Sequence, residues 1–446
     1  MSRLFGTDGV RGRVGTELTA DLAFKLGRAA AGYHLERGVR RALIARDTRL
    51  SGGMLTHAVT AGVTSVGAGV TDLGIAPTPA VSTLLAMVAG PSFGVVISAS
   101  HNPYEDNGIK LFSPDGRKLS VAEEEAIERR FRVDADLDAT DGTVGSCGPD
   151  GALVSKYLDA VAGRFRFTLS RTRLVIDAAH GAFAPHVRPL FSRYCNSVDW
   201  LNCDFDGADI NRECGSTHVE SLDPHLGPCA IGLAFDGDGD RMLIRIPPPL
   251  EKGGPGGVTV DGDAFLYLFA KHLVTAGPVI GTVMSNGALD AALETLGRPF
   301  WRAPVGDREV FEMMQKEGSS LGGEQSGHII LKDQRTGDGA VTALAFLQVF
   351  AERYAESAEA MAKDLPAPFP QKLVNVRVAE KRPWEDDPAL SAAVAGAREK
   401  LGKHGRLVIR YSGTEPLLRI MAESPSAVAV EEQVSMLTAR FRDRLA

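Results

Sequence analysis

Ile231-Gly232-Leu233-Ala234-Phe235-Asp236-Gly237-Asp238-Gly239-Asp240-Arg241 is an apolar run that breaks into three carboxylates at alternating positions. The run itself does not alternate, so neither of its faces is set aside for water. A strand of that kind is buried on both sides, as in α/β sheets covered by helices. Ala42-Leu43-Ile44-Ala45-Arg46-Asp47, Gly94-Val95-Val96-Ile97, Leu174-Val175-Ile176-Asp177 and the stretch 279–284 repeat the style. Helical stretches at 19–36, 121–132 and 261–274 lie between these runs. The apolar segments 84–89 and 343–350 are short enough to be buried helices. Strand and helix signals in alternation predict α/β layers.

The 446 residues are too many for one core, and domain sizes of roughly 100–200 residues predict three or four units. Three segments read as boundaries. Residues 134–151 are polar, acidic and glycine-rich, and 365–370 hold three prolines. Residues 247–257 are so rich in proline and glycine that they form neither helix nor central strand, and serve as a linker or a long hairpin tip. The last stretch has strand-like segments at 372–378 and 407–411 and a closing helix from Ala427. The expectation is three similar α/β domains, 1–150, 151–255 and 256–366, and a smaller C-terminal α+β domain, 367–446.

A formal charge of −7 argues against general binding to nucleic acid or to an anionic membrane surface. No stretch approaches the roughly 20 apolar residues that span a bilayer, and no signal-peptide core is present. The five cysteines are odd in number and have no C-x-x-C spacing, which predicts reduced thiols and a cytoplasmic protein.

Glycines between Asp236, Asp238 and Asp240 let the backbone turn tightly enough for the carboxylates to converge. Three converging negative charges repel unless a cation joins them, and hard oxygen ligands favour Mg²⁺ or Ca²⁺. An EF-hand loop starting at Asp236 would need glycine sixth and glutamate twelfth, where Arg241 and Pro247 stand. Ser98-Ala99-Ser100-His101-Asn102-Pro103 follows another apolar strand. Its Asn-Pro pair predicts a turn that presents Ser100 outward, with His101 a candidate base or phosphate partner and Lys110 a nearby cation. Arg410 and Arg419 flank a Ser-Gly-Thr turn whose N–H groups suit a phosphate. No G-x-S-x-G, P-loop or dinucleotide fingerprint is present.

Five segments in order resemble the α-D-phosphohexomutases over nearly the whole chain: Phe5–Gly12 (FGTDGVRG), Ser98–Pro103, Asp236–Arg241, Gly323-Glu324-Gln325-Ser326-Gly327-His328 and Arg410–Pro416 (RYSGTEP). The resemblance implies four domains around a central cleft and a small-molecule phosphosugar as substrate. It implies that Ser100 is a phosphoserine, and that one Mg²⁺ per subunit is held by Asp236, Asp238, Asp240 and an oxygen on Ser100. Glu324 and Ser326 would meet sugar hydroxyls, with Arg241 also on the substrate. Arg410, Ser412, Gly413, Thr414 and Arg419 would clamp a phosphate. Arg11 and Lys110 would supply charge, and His101, Lys110 and His328 are the candidates for moving the proton. Gln325 and the segment 211–218 resemble the branch that acts on glucosamine phosphates, which implies glucosamine 1,6-bisphosphate as intermediate and activator. A homodimer is the assembly the family implies. Gly306-Asp307-Arg308-Glu309 and the insertion at 247–257 depart from the family pattern and touch no chemical motif.

Overall fold

The apolar runs become the central strands of a computed structural model, which describes residues 4–6, 8–88, 90–133, 143–247, 257–412 and 416–445. A first sheet contains β1 (Val10–Arg13), β2 (Arg41–Arg46), β3 (Gly69–Ile75), β4 (Ser92–Ile97), β5 (Asp106–Phe112) and β6 (Cys147–Pro149), in the order β1-β5-β4-β2-β3-β6. A second contains β7 (Arg173–Asp177), β8 (Val198–Leu201), β9 (Ala230–Phe235), β10 (Met242–Ile246) and β11 (Val258–Val260), in the order β11-β10-β9-β7-β8. A third contains β12 (Val279–Thr282), β13 (Phe300–Ala303), β14 (Leu321–Gly323) and β15 (Ile329–Leu331), in the order β13-β12-β14-β15. Every residue of β4 and of β9 is buried, as runs without alternation require.

One plan underlies all three sheets. The orders β5-β4-β2-β3, β10-β9-β7-β8 and β15-β14-β12-β13 are the same permutation of four successive strands. In each, the third strand runs parallel to the first and antiparallel to the fourth. The turn from third to fourth strand therefore leaves the carboxyl end of a central strand, where α/β sheets place their sites. Those three turns hold Ser98–Pro103, Asp236–Arg241 and Glu324–His328.

Local signals set the helix starts. Thr19 caps Ala20–Leu35 by accepting Leu22 N–H, Asp261 caps Gly262–His272, and Asp338 caps Gly339–Tyr354. The run 343–350 lies buried in the last of these, as expected. Of the run 84–89, Leu84 and Leu85 close the helix Thr78–Leu85 with Ala86 as its cap, and residue 89 lies outside the described residues. The boundary expected at 134–151 is interrupted by β6, an edge strand parallel to β3, and its residues 134–142 lie outside the described part. Ile246 pairs with Val258 where β10 and β11 run antiparallel, and residues 248–256 of the proline- and glycine-rich insertion lie outside the described residues.

The chain divides into two compact units, 1–283 with 301–364, and 284–300 with 365–446. The second unit carries the sheet β16-β18-β17, built from β16 (Gln371–Arg377), β17 (Arg406–Tyr411) and β18 (Leu417–Glu423), all antiparallel. Helices Pro388–Leu401 and Ala427–Leu445 contribute to its core with Val394, Leu401, Leu437 and Phe441. No described helix is long and apolar enough to cross a membrane.

Candidate active site

Phe235 closes β9 against Phe183 and Phe191, with ring centroids 5.0 and 6.0 Å away, and the chain then turns through 236–241 into β10. Gly239 takes φ 71°, and a Cβ on Gly237 would stand 2.5 Å from the Ser100 carbonyl oxygen, so both positions need glycine. Asp236, Asp238 and Asp240 are 1, 1 and 4% exposed, which rules out an acidic solvent turn. One oxygen from each lies within 4.8 Å of the others, the only such group among the described residues. Asp238 Oδ1 and Asp240 Oδ1 are buried without a hydrogen-bond partner. Buried carboxylate oxygens left without donors fit a hard divalent cation. Burial, and then Asp240 and Asp238, push the Asp236 carboxyl well above its ordinary range. Burial also pushes Asp238 up, but Lys110 and the Thr78 hydroxyl together outweigh it and hold that carboxyl low.

Ser100 sits between β4 and β5 at φ 53°, a left-handed conformation that costs a serine about 1–3 kcal/mol. The loop folds back at that residue. The hydroxyl is therefore not presented outward as the Asn-Pro turn suggested. Ser100 is 1% exposed, and its Oγ donates to Asp236 Oδ2 at 2.7 Å. The serine and the carboxylate turn thus meet across two sheets.

Cations ring this pair. Lys110 Nζ lies 2.8 Å from Asp238, 3.0 Å from Asp8 and 3.8 Å from Asp240. Burial pulls Lys110 down, but those three carboxylates outweigh it and hold the ammonium charged. Lys118 Nζ bridges Asp8 at 2.5 Å and Asp307 at 2.6 Å. Arg11 is paired to Asp8 and reaches the Ala99 carbonyl at 3.5 Å. Arg241 Nη1 donates to His101 Nδ1 at 3.3 Å, and that same Nδ1 lies 3.4 Å from Ser100 Oγ. Burial, then Arg241 and Arg11, hold His101 below its ordinary value, and its Nδ1 lone pair is taken up by the Arg241 donor. His328 is buried, with Nε2 accepting the Gly337 N–H at 3.1 Å.

These groups border a cavity of about 450 Å³ whose walls include Arg11, His101, Asp240, Arg241, Glu324 and His328. That size lies within the range of about 300–1,000 Å³ usual for small-molecule sites. Glu324 enters it from the β14–β15 turn, with Oε1 accepting the Gly306 N–H at 3.0 Å. Gln325 Nε2 donates to Asp261 Oδ2 at 3.2 Å, and Gly327 takes φ 90° to close the turn. Ser326 is exposed at the tip of this turn and is not part of the cavity wall. Lys110 lies behind the wall, buried against Asp238.

Arg410 and Arg419 belong to the second unit. They stand directly opposite each other on β17 and β18. Like charges in that register repel, so the pair suits an anion. Ser412 follows with its N–H donated to the Leu417 carbonyl at 2.8 Å and its carbonyl accepting from Lys381 at 2.6 Å. Gly413 and Thr414 lie outside the described residues.

Sequence reasoning passed over Asp8, Lys118 and Thr78, and it set Gly306–Glu309 apart from the chemical motifs, whereas Asp307 lines the cavity and pairs with Lys118. Asp8 stands inside the FGTDGVRG segment, and its charge was the available signal. Lys118 had none, being one lysine in a polar turn. Thr78 Oγ1 donates to Asp238 Oδ2 at 2.5 Å from a helix start far away in sequence.

Residues 2–137 match the family model for phosphoglucomutase/phosphomannomutase alpha/beta/alpha domain I, 261–369 that for alpha/beta/alpha domain III, and 373–440 that for the C-terminal domain. The chain is 44% identical over 442 residues to the phosphoglucosamine mutase of Moorella thermoacetica, covering 97% of each chain. It is 40% identical over 453 residues to the enzyme of that name from Alkalilimnicola ehrlichii, covering 98% of this chain and 97% of the relative. A crystal structure of a phosphoglucomutase/phosphomannomutase family protein from Burkholderia thailandensis superposes with a TM-score of 0.80 at 25% identity, over 100% of this chain and 98% of that one.

Proposed function

Because the chain belongs to the phosphoglucomutase/phosphomannomutase family, we propose that it interconverts glucosamine 6-phosphate and glucosamine 1-phosphate through a phosphorylated Ser100. The observation that carries the reading is the buried Ser100 hydroxyl 2.7 Å from one of three convergent aspartates, beside a cavity rich in cations. The nearly full-length relatives named phosphoglucosamine mutase support the amino sugar as substrate.

In the first half-reaction the Oγ–P bond of phospho-Ser100 breaks as a bond forms from phosphorus to O1 of glucosamine 6-phosphate. The O1 proton passes to a base, and the freed Ser100 oxygen takes one up. Glucosamine 1,6-bisphosphate then turns within the site. In the second half the O6–P bond breaks as the phosphoryl group returns to Ser100, whose proton leaves while O6 takes one up, and glucosamine 1-phosphate departs. The cycle starts and ends with phosphoserine.

Phosphoryl transfer needs positioning and charge neutralisation more than covalent help. Arg11, Lys118 and Arg241 supply fixed positive charge at the cavity. Lys110, held as an ammonium, is suited to neutralising charge, whereas His101, with Nδ1 3.4 Å from Ser100 Oγ, is the better-placed base once that nitrogen is free of Arg241. Asp236, Asp238, Asp240 and an oxygen on Ser100 would hold one Mg²⁺, which would offset charge on the phosphoryl oxygens. Glu324 is assigned to sugar hydroxyls together with Ser326. Arg410, Ser412, Gly413, Thr414 and Arg419 are assigned to the phosphate that is not reacting. A cytoplasmic homodimer with four segments, 1–150, 151–255, 256–366 and 367–446, completes the proposal.

Replacing Ser100 with alanine should lower turnover at least ~1,000-fold, since the phosphoryl carrier is removed. Full activity in that variant refutes the reading. Comparing kcat/KM for glucosamine, glucose and mannose phosphates tests the sugar. Steady release of inorganic phosphate would mark a phosphohydrolase instead, and a wild-type chain with neither turnover nor phosphate on Ser100 would mark a binding protein.

A further inference from the structure

Two donors hold the carbonyl of Ser100, and neither borders the cavity. Arg49 is fully buried and its Nε pairs with Asp47 Oδ2 at 2.9 Å. Its Nη2 donates to the carbonyls of Ser100 at 2.9 Å and Asn102 at 2.8 Å. Its Nη1 donates to the carbonyls of Asp106 at 3.1 Å and Pro103. One guanidinium thus gathers three carbonyls of the β4–β5 loop and that of the first residue of β5. Asp47 also accepts Ser98 Oγ–H at 2.6 Å, and Ser98 Oγ accepts the Ser100 N–H at 2.9 Å. The peptide groups on both sides of the Ser100 Cα are therefore fixed.

Asn211 comes from the second sheet, after β8, and its backbone N–H is bound to the Ala179 carbonyl at 3.0 Å. Its Nδ2 donates to the carbonyls of Ser100 at 2.9 Å and Asn102 at 3.1 Å, the two that Arg49 Nη2 also holds. The second sheet carries Asp236. Asn211 thus binds the serine loop to the sheet that supplies the carboxylates.

We propose that Arg49 and Asn211 are positioning residues for Ser100. Arg49 sets the shape of the serine loop, and Asn211 sets its register against the carboxylate turn. A left-handed serine persists only where its surroundings over-determine it. The reacting oxygen must also be placed closely, since a displacement of about 1 Å can cost ~100-fold in rate. The inference rests on Ser100 being the phosphoryl carrier.

The test uses the full-length enzyme and four forms: wild type, Asn211→Leu, Asn211→Asp and Arg49→Lys. Wild-type mutase activity with phosphate on Ser100 is the reference, and its absence would sink the functional reading, leaving this inference without its basis. Leucine keeps most of the volume of Asn211 and removes the donor. The expected result is a kcat lower by ~100-fold with KM for the sugar phosphate within about threefold. Transfer from labelled phospho-Ser100 in a single turnover should slow by the same factor. Aspartate should do at least as badly as leucine, because it sets a negative oxygen against two carbonyls. Arg49→Lys keeps the charge beside Asp47 but loses the fork, and should fall like Asn211→Leu. A folded Asn211→Leu whose kcat stays within about threefold of wild type overturns the proposal. So does a rise in KM alone, or an Asn211→Asp enzyme that transfers phosphate at the wild-type rate. If Arg49→Lys does not fold, the two Asn211 variants decide.

Discussion

Replacing Asp236 with asparagine separates the two roles of the carboxylate turn, repulsion and cation binding. The three ligand oxygens lie within 4.8 Å of one another. At an effective dielectric of about 20, two unit charges 4.8 Å apart repel by about 3.5 kcal/mol. Neutralising Asp236 removes two such pairs, about 7 kcal/mol before Lys110 and Arg241 reduce it. A carboxyl with an ordinary value of 3.8 can instead take up a proton at pH 7 for about 4.4 kcal/mol, at about 1.36 kcal/mol per pH unit. The proton is the cheaper course, which agrees with the upward shift of Asp236. Metal-free Asp236→Asn should therefore be no less stable than wild type, and its gain is capped at about 4 kcal/mol. With Mg²⁺ at about 100 times the wild-type Kd, wild type should gain about 2.7 kcal/mol. Outer-layer partners of a metal are worth about 10–100-fold in affinity, so losing a direct ligand should cost at least ~100-fold. At that same Mg²⁺ concentration the variant should then gain only about 0.4 kcal/mol. Urea unfolding with and without Mg²⁺, together with calorimetric titration, reads both quantities. A variant that keeps the full gain shows that the triad is not the cation site. A metal-free variant that loses more than about 2 kcal/mol shows that repulsion within the triad is not what raises Asp236.

Burial pushes the Asp338 carboxyl up to about 6, against the pull of the Val341 N–H and the Tyr157 hydroxyl. The folded state therefore binds the proton more tightly than the unfolded one. This contribution is full below the ordinary 3.8 and is lost as pH rises through about 6, about 3 kcal/mol in all. Wild type should lose that much relative to Asp338→Asn in urea unfolding between pH 3.5 and 7, and parallel pH profiles would contradict it. Lys118→Met leaves Asp8 and Asp307 facing each other without their shared ammonium, and should cost about 3 kcal/mol, the low end for breaking a buried pair. An unchanged unfolding midpoint would count against that bridge. Arg410→Ala should raise KM for the sugar phosphate by ~10–100-fold, the worth of a charged hydrogen bond, while relieving repulsion from Arg419. A KM within twofold of wild type would remove Arg410 from the phosphate clamp.

The chain order of short apolar runs was enough to predict α/β layers, because a strand buried on both faces has to be apolar throughout, as β4 and β9 are. The carboxylate turn was legible for a related reason. Three aspartates spaced by glycines directly after such a strand have few purposes other than convergence. Helix starts at Thr19 and Asp261 were close to the mark because capping is local. Ser100 was legible as a residue but not in its setting. The Asn-Pro pair argued for an outward turn, and the left-handed backbone at Ser100 turned the hydroxyl inward.

What the amino-acid order determined by itself was whatever depends on neighbours within a few residues: strand burial, caps, glycine turns and the list of charged side chains. The tertiary structure decided which of those charges meet. Lys118 shares its ammonium between Asp8 and Asp307, Thr78 reaches Asp238, and Arg49 and Asn211 close on one carbonyl from two different sheets. None of these pairings leaves a local trace, because a buried charge is stabilised by whatever partner the fold brings to it, at any distance along the chain. The repeated strand order settled the rest. It placed three unrelated turns, those of Ser100, Asp236 and Glu324, at the same point of three sheets.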